Sequence, residues 1–539
     1  MENAATQLPD DPFELKEIVF TQRSKIDEQA KRISKLEADI FVYRRELFGR
    51  KTEKRVLINF NQENLFNEAE AYSNNTPPEK EKITYERSKK RGKKVSVLGF
   101  PPELPRKEVI HELNPEERNC SCGNCRRIIS QRTHEELVIT EPKVYILVHK
   151  YNKYICDPCE HIEKEKEKQD PSYVAKSTII TAPGPKRLLP GSRVNEATLA
   201  TILIGKFCDG LPFYRLEKIF TRYNVKILRA LMCNWAIRVY KNLNPFFDLL
   251  KRKLLECPVI GIDETRLRVL EVAGEKQEKL CFMWVFYGYH RDGPVVWYHY
   301  APSRSSSVLE EVLKDYKGII VSDDFEGYTK FAKKFGLIHC LCNTHARRGF
   351  VKAYEMADKT GEAAQYIDWY GKLYKIEDDI RKAGLTTEKI RDHRQEHSKP
   401  IMDEMKARLD VQSLMILPES PLGKAISYSL SNWEKLILFL DNGLIPIDNN
   451  MPENAIRPFV IGRKNWLFNA VDRGAEASSG FYTLIETAKA NGLDPYWYFR
   501  MLFIRYPKCT SLEEMEKLLP MNVTPEDLKN FAKECSSES

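Results

Sequence analysis

The stretch PVIGID, residues 258–263, is a short apolar run that ends on an aspartate. Valine and isoleucine are enriched in β-strands, so this run predicts a strand with Asp263 at its end. A second run of the same form, KGIIVSDD at residues 317–324, ends on Asp323 and Asp324. The two runs therefore predict buried strands that each end in a carboxylate.

The segments around these two runs predict the rest of a sheet. KLCFMWVFYGY and PVVWYHYAP flank the turn HRDG and predict a hairpin, and LIHCLC predicts a fifth strand. SRSSSVLEEVLKDY, which has a serine available to cap it, and YTKFAKKFG predict helices. The order of three strands, helix, strand, helix and strand is that of the RNase H-like nuclease fold, in which the first and fourth strands lie side by side. We therefore expect an α/β domain whose mixed sheet brings Asp263 and Asp323 into one site.

Several carboxylates in one site need a counter-charge. Like charges at short range repel, and one acid would otherwise take up a proton. Magnesium ions would remove this conflict, because hard cations bind oxygen ligands and leave positions for phosphate and water. Two metals about 3.5–4 Å apart can activate an attacking oxygen and stabilise a leaving one. The paired aspartates therefore predict a site for two Mg²⁺ ions.

The segment IDNNMPENAIRPFVIGRKNWLF, residues 447–468, supplies the candidate for a third carboxylate. Glu453 falls in the first turn of a predicted short helix, and Arg457 would share its helical face. Arg463 and Lys464 follow and could hold a polyanion. The alternative is a helix cap followed by a solvated face, with the three acids unrelated to one another.

The catalytic domain is predicted to span residues 257–489 and to contain an all-helical insertion at about 346–445. The segments YIDWYGKLYKIEDDIRK and SNWEKLILFLDNG are the clearest helices of this insertion. Residues 490–539 predict a C-terminal helical segment.

Residues 1–54 contain a heptad pattern that predicts a coiled coil. The apolar positions that recur every seven residues are Val19, Ile26, Ile33, Ile40 and Leu47. The companion positions are Leu15, Gln22, Gln29, Leu36 and Tyr43. The two glutamines would cost stability but could specify register or partner number. The alternative is an amphipathic helix packed on its own chain.

Residues 55–110 predict a polar linker, because prolines and like charges prevent a packed core. The run RSKKRGKK, residues 87–94, could neutralise DNA phosphates, and a solvated tether is the alternative. Its candidate DNA-binding residues are Lys89, Lys90, Arg91, Lys93 and Lys94.

Residues 111–165 contain two C-x-x-C pairs, within CSCGNC and CDPC. This spacing lets two thiolates of one knuckle reach a tetrahedral zinc ion. The pairs are Cys122 with Cys125 and Cys156 with Cys159, and they predict one structural Zn²⁺. Cys120 makes the first pair ambiguous, and incidental cysteines are the alternative.

Residues 185–256 predict helices at NEATLATILIGKF, LPFYRLEKIFTRY and KILRALMCNWAIRVYKNL. A helix, a short turn and a second helix carrying Arg229 and Arg238 fit a helix-turn-helix. An ordinary helical bundle with Trp235 in its core is the alternative.

Composition limits the class of protein only loosely. The 85 Lys and Arg exceed the 77 Asp and Glu by 8, which permits a nucleic-acid partner without requiring one. No apolar run approaches the ~18 residues of a membrane span, and the first residues lack the features of a secretory signal. Thirteen cysteines without such a signal favour reduced thiols and metal binding. We therefore expect a soluble, cytoplasmic protein with no membrane partner.

Taken in order, these motifs resemble the transposases of the insertion-sequence-66 family, within the DDE class, over nearly all of the chain. LFGRKTEK after the heptads resembles the family's leucine-zipper module, and the paired cysteines resemble its zinc module. GKFCDGLPFYRLEKIF resembles its helix-turn-helix region, and LIETAKANGLDPYWYF resembles its C-terminal segment. The catalytic motifs that match in order are IDETRLRVL, SDDFEGY, CNTHARRGF and DNNMPENAIRPFVIGRKNWLF.

The resemblance implies that Asp263, Asp323 and Glu453 are the catalytic acids. The family usually has Asp-Gly-Tyr at the second acid, so Asp324 is an alternative to Asp323. Cys342 and His345 resemble a C-x-x-H element of several DDE transposases, which implies that they shape the site rather than bind metal. The candidate DNA-binding residues beside these motifs are Arg347, Arg348, Arg457, Arg463 and Lys464.

The function that the resemblance implies is magnesium-dependent DNA strand transfer, in the bacterial cytoplasm and on the nucleoid. Its partners would be the ends of the mobile element, target DNA and a second copy of the chain. Accessory proteins encoded by the same element are further candidates. The alternatives are an RNase H-like nuclease that cuts without joining, such as a resolvase, and a non-catalytic DNA-binding protein derived from a transposase.

Overall fold

The computed structural model describes Gln29, much of the stretch 144–181, and residues 184–537 apart from 275–277, 290–292 and 358–360. The linker, and the coiled coil apart from Gln29, lie outside the described residues. The same is true of Cys122, Cys125 and Cys156. Residues 184–537 belong to one compact unit, and the described part of 144–181 belongs to another.

The smaller unit contains a two-stranded antiparallel sheet and one helix. Strand β1 (Lys153–Ile155) pairs with β2 (Ile179–Thr181), and helix α1 (Asp157–Gln169) lies between them in the chain. Cys159, one of the four predicted zinc ligands, is exposed on α1.

Four helices open the larger unit, where a helix-turn-helix region was predicted. They are α2 (Glu196–Phe207), α3 (Phe213–Arg222), α4 (Arg229–Asn242) and α5 (Asn244–Leu255). The Asn195 side chain caps α2 by accepting a hydrogen bond from the Thr198 N–H at 3.0 Å. Arg229 and Arg238 are exposed on α4, and Arg238 donates to the Pro190 carbonyl at 3.4 Å.

The main sheet follows, and it has the predicted order of elements. Its strands are β3 (Val259–Glu271), β4 (Lys279–Tyr289), β5 (Val295–Ala301), β6 (Ile319–Ser322), β7 (Ile338–Leu341) and β8 (Asn469–Val471). Helix α6 (Ser306–Leu313) lies between β5 and β6, and α7 (Glu326–Phe335) lies between β6 and β7. As predicted, Ser305 caps α6, accepting from the Ser307 N–H at 3.3 Å.

The spatial order of the strands is β5-β4-β3-β6-β7, with β8 paired to the far end of β3. Strands β3, β4 and β5 are antiparallel, whereas β6 and β7 run parallel to β3. The first and fourth strands of the predicted series are therefore neighbours, in a mixed sheet. Residues 283–288 of β4 are buried without interruption, which indicates that helices cover both faces of the sheet.

A group of helices separates β7 from the segment that contains Glu453. They are α8 (Asn343–Met356), α9 (Ala363–Ala383), α10 (Thr387–His397), α11 (Lys399–Ser413), α12 (Pro421–Ser431), α13 (Trp433–Leu436) and a 3-10 turn (Leu438–Leu440). Buried polar side chains attach them to the chain that follows. The Asn343 amide donates to the carbonyls of Leu436 at 2.9 Å and Ile447 at 3.1 Å. The Arg394 guanidinium, whose residue is 3% exposed, donates to the Ile445 carbonyl at 2.9 Å.

The C-terminal part is helical. Its helices are α14 (Asn450–Trp466), α15 (Asp472–Ala490), α16 (Pro495–Arg505), α17 (Leu512–Glu516) and α18 (Pro525–Ser537), with 3-10 turns at Tyr506–Lys508 and Pro520–Asn522. The short helix predicted around Glu453 is in fact 17 residues long and continues through Pro458. Helix α15 packs on the edge strand β5, where the Thr483 hydroxyl accepts from the Tyr298 N–H at 2.8 Å. This contact covers a strand edge that would otherwise present unpaired amides.

Among the described residues, no helix combines the length and the apolar character that crossing a bilayer requires.

Candidate active site

The register of two parallel strands places two of the predicted acids together. Strand β3 pairs with β6 so that Val259 lies opposite Ile319 and Gly261 opposite Val321. Asp263 and Asp323 are separated by the same 60 positions as these pairs. Both carboxylates therefore come to the same edge of the sheet, where the parallel pairing ends. Asp263 was predicted to end its strand, but β3 continues through Glu271 because its antiparallel pairing with β4 extends to Val269.

Asp263 occupies an environment that disfavours its charged form. Burial, followed by the nearby charges of Glu264 and Glu453, raises the pKa of the Asp263 carboxyl to about 8. The charge of Asp323 acts in the same direction. A hydrogen bond from the Glu264 N–H to Asp263 Oδ1, at 2.9 Å, opposes these effects only partly. The predicted acids Asp263, Asp323 and Glu453 thus lie close enough to interact electrostatically.

Glu453 lies in the first turn of α14, and Arg348 and His345 of α8 lie beside its carboxylate. Its Oε2 accepts a hydrogen bond from Arg348 Nη2 at 2.7 Å. Its Oε1 lies 3.8 Å from Nδ1 of His345. Glu453 Oε1 and His345 Nδ1 are both buried, and neither has a hydrogen-bond partner among the described residues. The carboxylate therefore has one engaged oxygen and one oxygen available to a further ligand.

Buried contacts hold the start of α14 against strand β3. The Asn449 side-chain amide donates to the Ile262 carbonyl at 2.7 Å, next to Asp263 in the chain. The Asn449 backbone N–H donates to Cys342 Sγ at 3.1 Å. A side chain at position 261 would be excluded, because a Cβ on Gly261 would lie 2.6 Å from Pro452 Cγ. These contacts bring the helix of Glu453 onto the strand of Asp263.

The structure distinguishes the two adjacent aspartates at the end of β6. Asp323 is half-buried, and its Oδ1 accepts from the Phe325 N–H at 3.1 Å. Its charge affects the pKa values of Asp263 and His345. Asp324 is exposed, and its Oδ2 accepts from Asn432 Nδ2 at 2.8 Å. Asp323 is therefore the aspartate that interacts with the other acids of the site.

An open pocket of about 410 Å³ lies beside these acids. The residues that line it are Arg304, Asp323, Asp324, Phe325, His345 and Tyr428. Its wall combines carboxylates, a guanidinium and an imidazole, so it suits a charged ligand better than an apolar one.

Cys342, His345 and Glu453 form a second potential ligand set next to the aspartates. One ligand atom of each lies within 4.8 Å of the other two. Burial raises the pKa of the Cys342 thiol to about 12, and burial together with Arg348 lowers the pKa of His345. The imidazole is therefore available as a neutral donor, whereas the thiol would have to lose its proton to bind a metal. The sequence did not predict these two side chains as ligands.

Sequence reasoning missed three residues that build this site: Gly261, Glu264 and Asn449. Glu264 follows Asp263, and its side chain is only 6% exposed. It forms an ion pair with Arg304 and accepts a hydrogen bond from the Tyr328 hydroxyl. The position of Asn449 beside Asp448, in a segment already singled out, was the available signal.

The structure describes seven of the predicted DNA-binding cations, and they lie on three helices, α4, α8 and α14. On α8, Arg348 is engaged by Glu453, and Arg347 is half-buried. On α14, Arg463 donates to Thr265 Oγ1 at 3.2 Å, and burial lowers the pKa of its guanidinium. Arg457 is half-buried and Lys464 is exposed on the same helix. The five cations of the linker, at positions 89–91, 93 and 94, lie outside the described residues.

A mixed sheet flanked by helices, with acids gathered at one edge, is compatible with the catalytic domain of a transposase. Two family models match the chain: "Transposase IS66 family" over residues 191–477 and "IS66 C-terminal element" over residues 483–521. The chain belongs to the IS66 family of transposases.

Relatives from Sinorhizobium fredii extend this result over most of the chain. Uncharacterized protein y4jD is 32% identical over 440 residues, which cover 79% of this chain and 82% of that protein. Uncharacterized protein y4qI is 28% identical over 443 residues, which cover 79% of this chain and 77% of that protein.

Proposed function

We propose that this protein is a DDE-type DNA transposase with an RNase H-like catalytic domain. Asp263, Asp323 and Glu453 would be its catalytic acids. The observation that carries the proposal is the pairing of β3 with β6, which brings Asp263 and Asp323 to one edge of the sheet, where Asn449 holds the helix of Glu453 against β3. They come from two strands and a distant helix, and membership of the IS66 family supports the same assignment.

The donor set fits divalent cations. Asp263 is half-buried among other acids that raise the pKa of its carboxyl, so its ionised form needs a positive partner. Glu453 Oε1 is a buried oxygen without a hydrogen-bond partner among the described residues. Carboxylate oxygens are the ligands that Mg²⁺ prefers. We propose that Asp263, Asp323 and Glu453 hold two Mg²⁺ ions, which would stabilise negative charge on the attacking and leaving oxygens.

The chain's own residues would prepare the site for DNA. Asn449 and Gly261 hold the first turn of α14 against β3, so that Glu453 remains beside Asp263. Arg348 holds one oxygen of Glu453, and the other oxygen is buried without a hydrogen-bond partner among the described residues. His345 lines the pocket beside Asp323, and its Nε2 accepts a hydrogen bond from Arg348 Nη1 at 3.1 Å, which fixes the orientation of the imidazole.

The proposed reaction has two in-line displacements at phosphorus. In the first, water attacks the phosphodiester at the end of the element and releases a 3′-hydroxyl. In the second, that hydroxyl attacks a phosphodiester of the target and displaces another 3′-oxygen. Each displacement expels a 3′-oxygen, which takes up the proton that the attacking water or hydroxyl loses, so one set of acids can serve both.

Further proposals concern the remaining segments. The heptads of residues 1–54 would pair two subunits, and the cysteines of 111–165 would bind one structural Zn²⁺. The exposed arginines of α4, Arg229 and Arg238, would contact the ends of the element in a helix-turn-helix arrangement. Accessory proteins encoded by the same element could act with the subunits on nucleoid DNA.

The test is a set of substitutions that remove a negative charge with little change in volume. Asp263→Asn, Asp323→Asn and Glu453→Gln should each abolish cleavage and strand transfer while DNA binding persists. Asp324→Asn is the matched control, because Asp324 is exposed and already bonded to Asn432. Products would be followed on labelled duplexes carrying the element's terminal sequence, with Mg²⁺.

Near-normal transfer by Asp323→Asn, with loss of transfer by Asp324→Asn, would move the metal-binding role to Asp324. Wild-type protein that cuts without joining would reduce the function to that of a nuclease. Full activity in all three acid variants would refute the proposed site.

A further inference from the structure

Arg304 is a cation fixed in the wall of the acidic pocket. It follows strand β5 and precedes α6, and it lines the pocket together with Asp323 and Asp324. Its guanidinium carbon lies 4.0 Å from the centroid of the Phe325 ring, a cation–π contact. Its side chain is 39% exposed, so the guanidinium still reaches solvent in the pocket.

Glu264 anchors this arginine from inside the fold. The Glu264 side chain is 6% exposed, and its Oε1 forms an ion pair with Arg304. Its other oxygen accepts a hydrogen bond from the hydroxyl of Tyr328, a residue that is itself fully buried. Because Glu264 has both oxygens engaged, it is poorly placed to bind a metal, although it adjoins Asp263.

The carboxylates of the pocket would repel the phosphates of a nucleic acid. Asp323 and Asp324 line the pocket, and a DNA phosphate that approaches them meets like charge. A guanidinium has five N–H donors in a planar fork that matches the oxygens of a phosphate. The ion pair with Glu264 uses only one edge of this fork, and Phe325 covers one face. The remaining donors are held in place, so binding a phosphate would cost little side-chain entropy.

We propose that Arg304 binds a phosphate of the DNA strand next to the catalytic acids, and that Glu264 is its positioning residue. The inference rests on the proposed function of the acidic site and adds a DNA contact to it. Neither residue was among the cations and acids that the sequence predicted for the site.

The alternative is a structural role, in which Arg304 only neutralises the buried charge of Glu264 and does not contact DNA. The two roles separate in the dependence of kcat/KM on salt. Each phosphate contact contributes a slope of about −0.9 to a plot of log affinity against log salt concentration, because binding releases counterions. Loss of a purely structural arginine would leave this slope unchanged.

The experiment compares Arg304→Gln, Arg304→Lys and Glu264→Gln in the full-length protein. The substrate is a duplex carrying the element's terminal sequence, cleaved with Mg²⁺ over a range of salt concentrations. Arg408→Gln is the control, since Arg408 also forms an exposed ion pair, with Glu362, in the helical insertion. Thermal unfolding of each variant reports whether the fold persists.

We expect Arg304→Gln to lower kcat/KM by about tenfold at low salt and to reduce the salt slope by ~0.9. Arg304→Lys should keep the slope, because it keeps the charge, but recover only part of the activity. Glu264→Gln should lower kcat/KM in wild type and have little further effect in the Arg304→Gln background.

An unchanged slope in Arg304→Gln, in protein that cleaves DNA and folds normally, would overturn this role alone. If Arg304→Gln fails to fold, the Lys variant decides the question: wild-type activity would refute the need for the guanidinium fork. Wild-type protein that shows no DNA cleavage at all would instead overturn the proposed function on which this inference rests.

Discussion

Replacing Asp263 with asparagine should stabilise the folded protein while it abolishes cleavage. In the fold, burial and the charges of Glu264 and Glu453 raise the pKa of this carboxyl from 3.8 to about 8. The folded state therefore resists ionisation of Asp263, and a neutral amide of the same shape removes the conflict. The clustered carboxylates therefore lower the stability of the folded protein until a bound cation neutralises them.

The size of the effect follows from the shift in pKa. One pKa unit is worth ~1.4 kcal/mol, so the full difference corresponds to roughly 6 kcal/mol. Water entering the open pocket and small movements of Glu453 would reduce this value. We expect Asp263→Asn to raise the free energy of unfolding by about 2–3 kcal/mol near pH 7.5 without divalent cations.

The pH dependence gives the sign of the effect independently. A carboxyl whose pKa is raised on folding binds its proton more tightly in the folded state, so stability falls as the pH rises from about 4 to about 8. Near pH 5 the folded wild type keeps this proton, so the advantage of Asp263→Asn should shrink to about 1 kcal/mol. Mg²⁺ should stabilise wild type more than the variant, because it binds only the folded site.

The assay is urea unfolding of the full-length protein, followed by tryptophan fluorescence at both pH values. Asp410→Asn serves as the control, because Asp410 forms an exposed ion pair with Lys406 and should change stability by less than about 0.5 kcal/mol. The reasoning would be refuted by an Asp263→Asn variant that is no more stable than wild type near pH 7.5. An advantage that does not grow with pH would refute it as well.

Three further predictions concern other parts of the molecule. Asn449→Ala should lower the free energy of unfolding by about 1–3 kcal/mol in urea titrations, because it removes a buried hydrogen bond to the Ile262 carbonyl. An unchanged value would show that this bond contributes nothing. Elemental analysis should find one zinc per chain and none in Cys122→Ser; retention of zinc by that variant would assign the ligand to Cys120. Deleting residues 1–50 should weaken self-association and paired-end complexes in light scattering and gel shifts but spare single-end binding, and pairing at full-length affinity would exclude the coil as the assembly element.

Local pattern was sufficient to predict the framework of the catalytic unit. Short apolar runs between turn signals predicted all five main strands, although β3 continues eight residues beyond Asp263, where the sequence predicted its end. The prediction of the strands succeeded because the periodicities of strands and helices are visible in consecutive residues. Few topologies are compatible with a given order of elements, which limited the choice of sheet. Glu453 could be singled out from the basic and aromatic residues that follow it.

Tertiary structure alone decided which side chains contact the acids. Arg348 and Glu453 are 105 positions apart, and Asn449 is 187 positions from the Ile262 carbonyl that it binds. No periodicity relates such residues, since their contact depends on how helices pack on the sheet. The same packing leaves Asp323 half-buried beside the other acids and Asp324 exposed. The sequence alone could not predict this difference between two adjacent aspartates. The sequence by itself determined the strands and the acids on or beside them, and the packing of α8 and α14 on β3 decided how those acids are held.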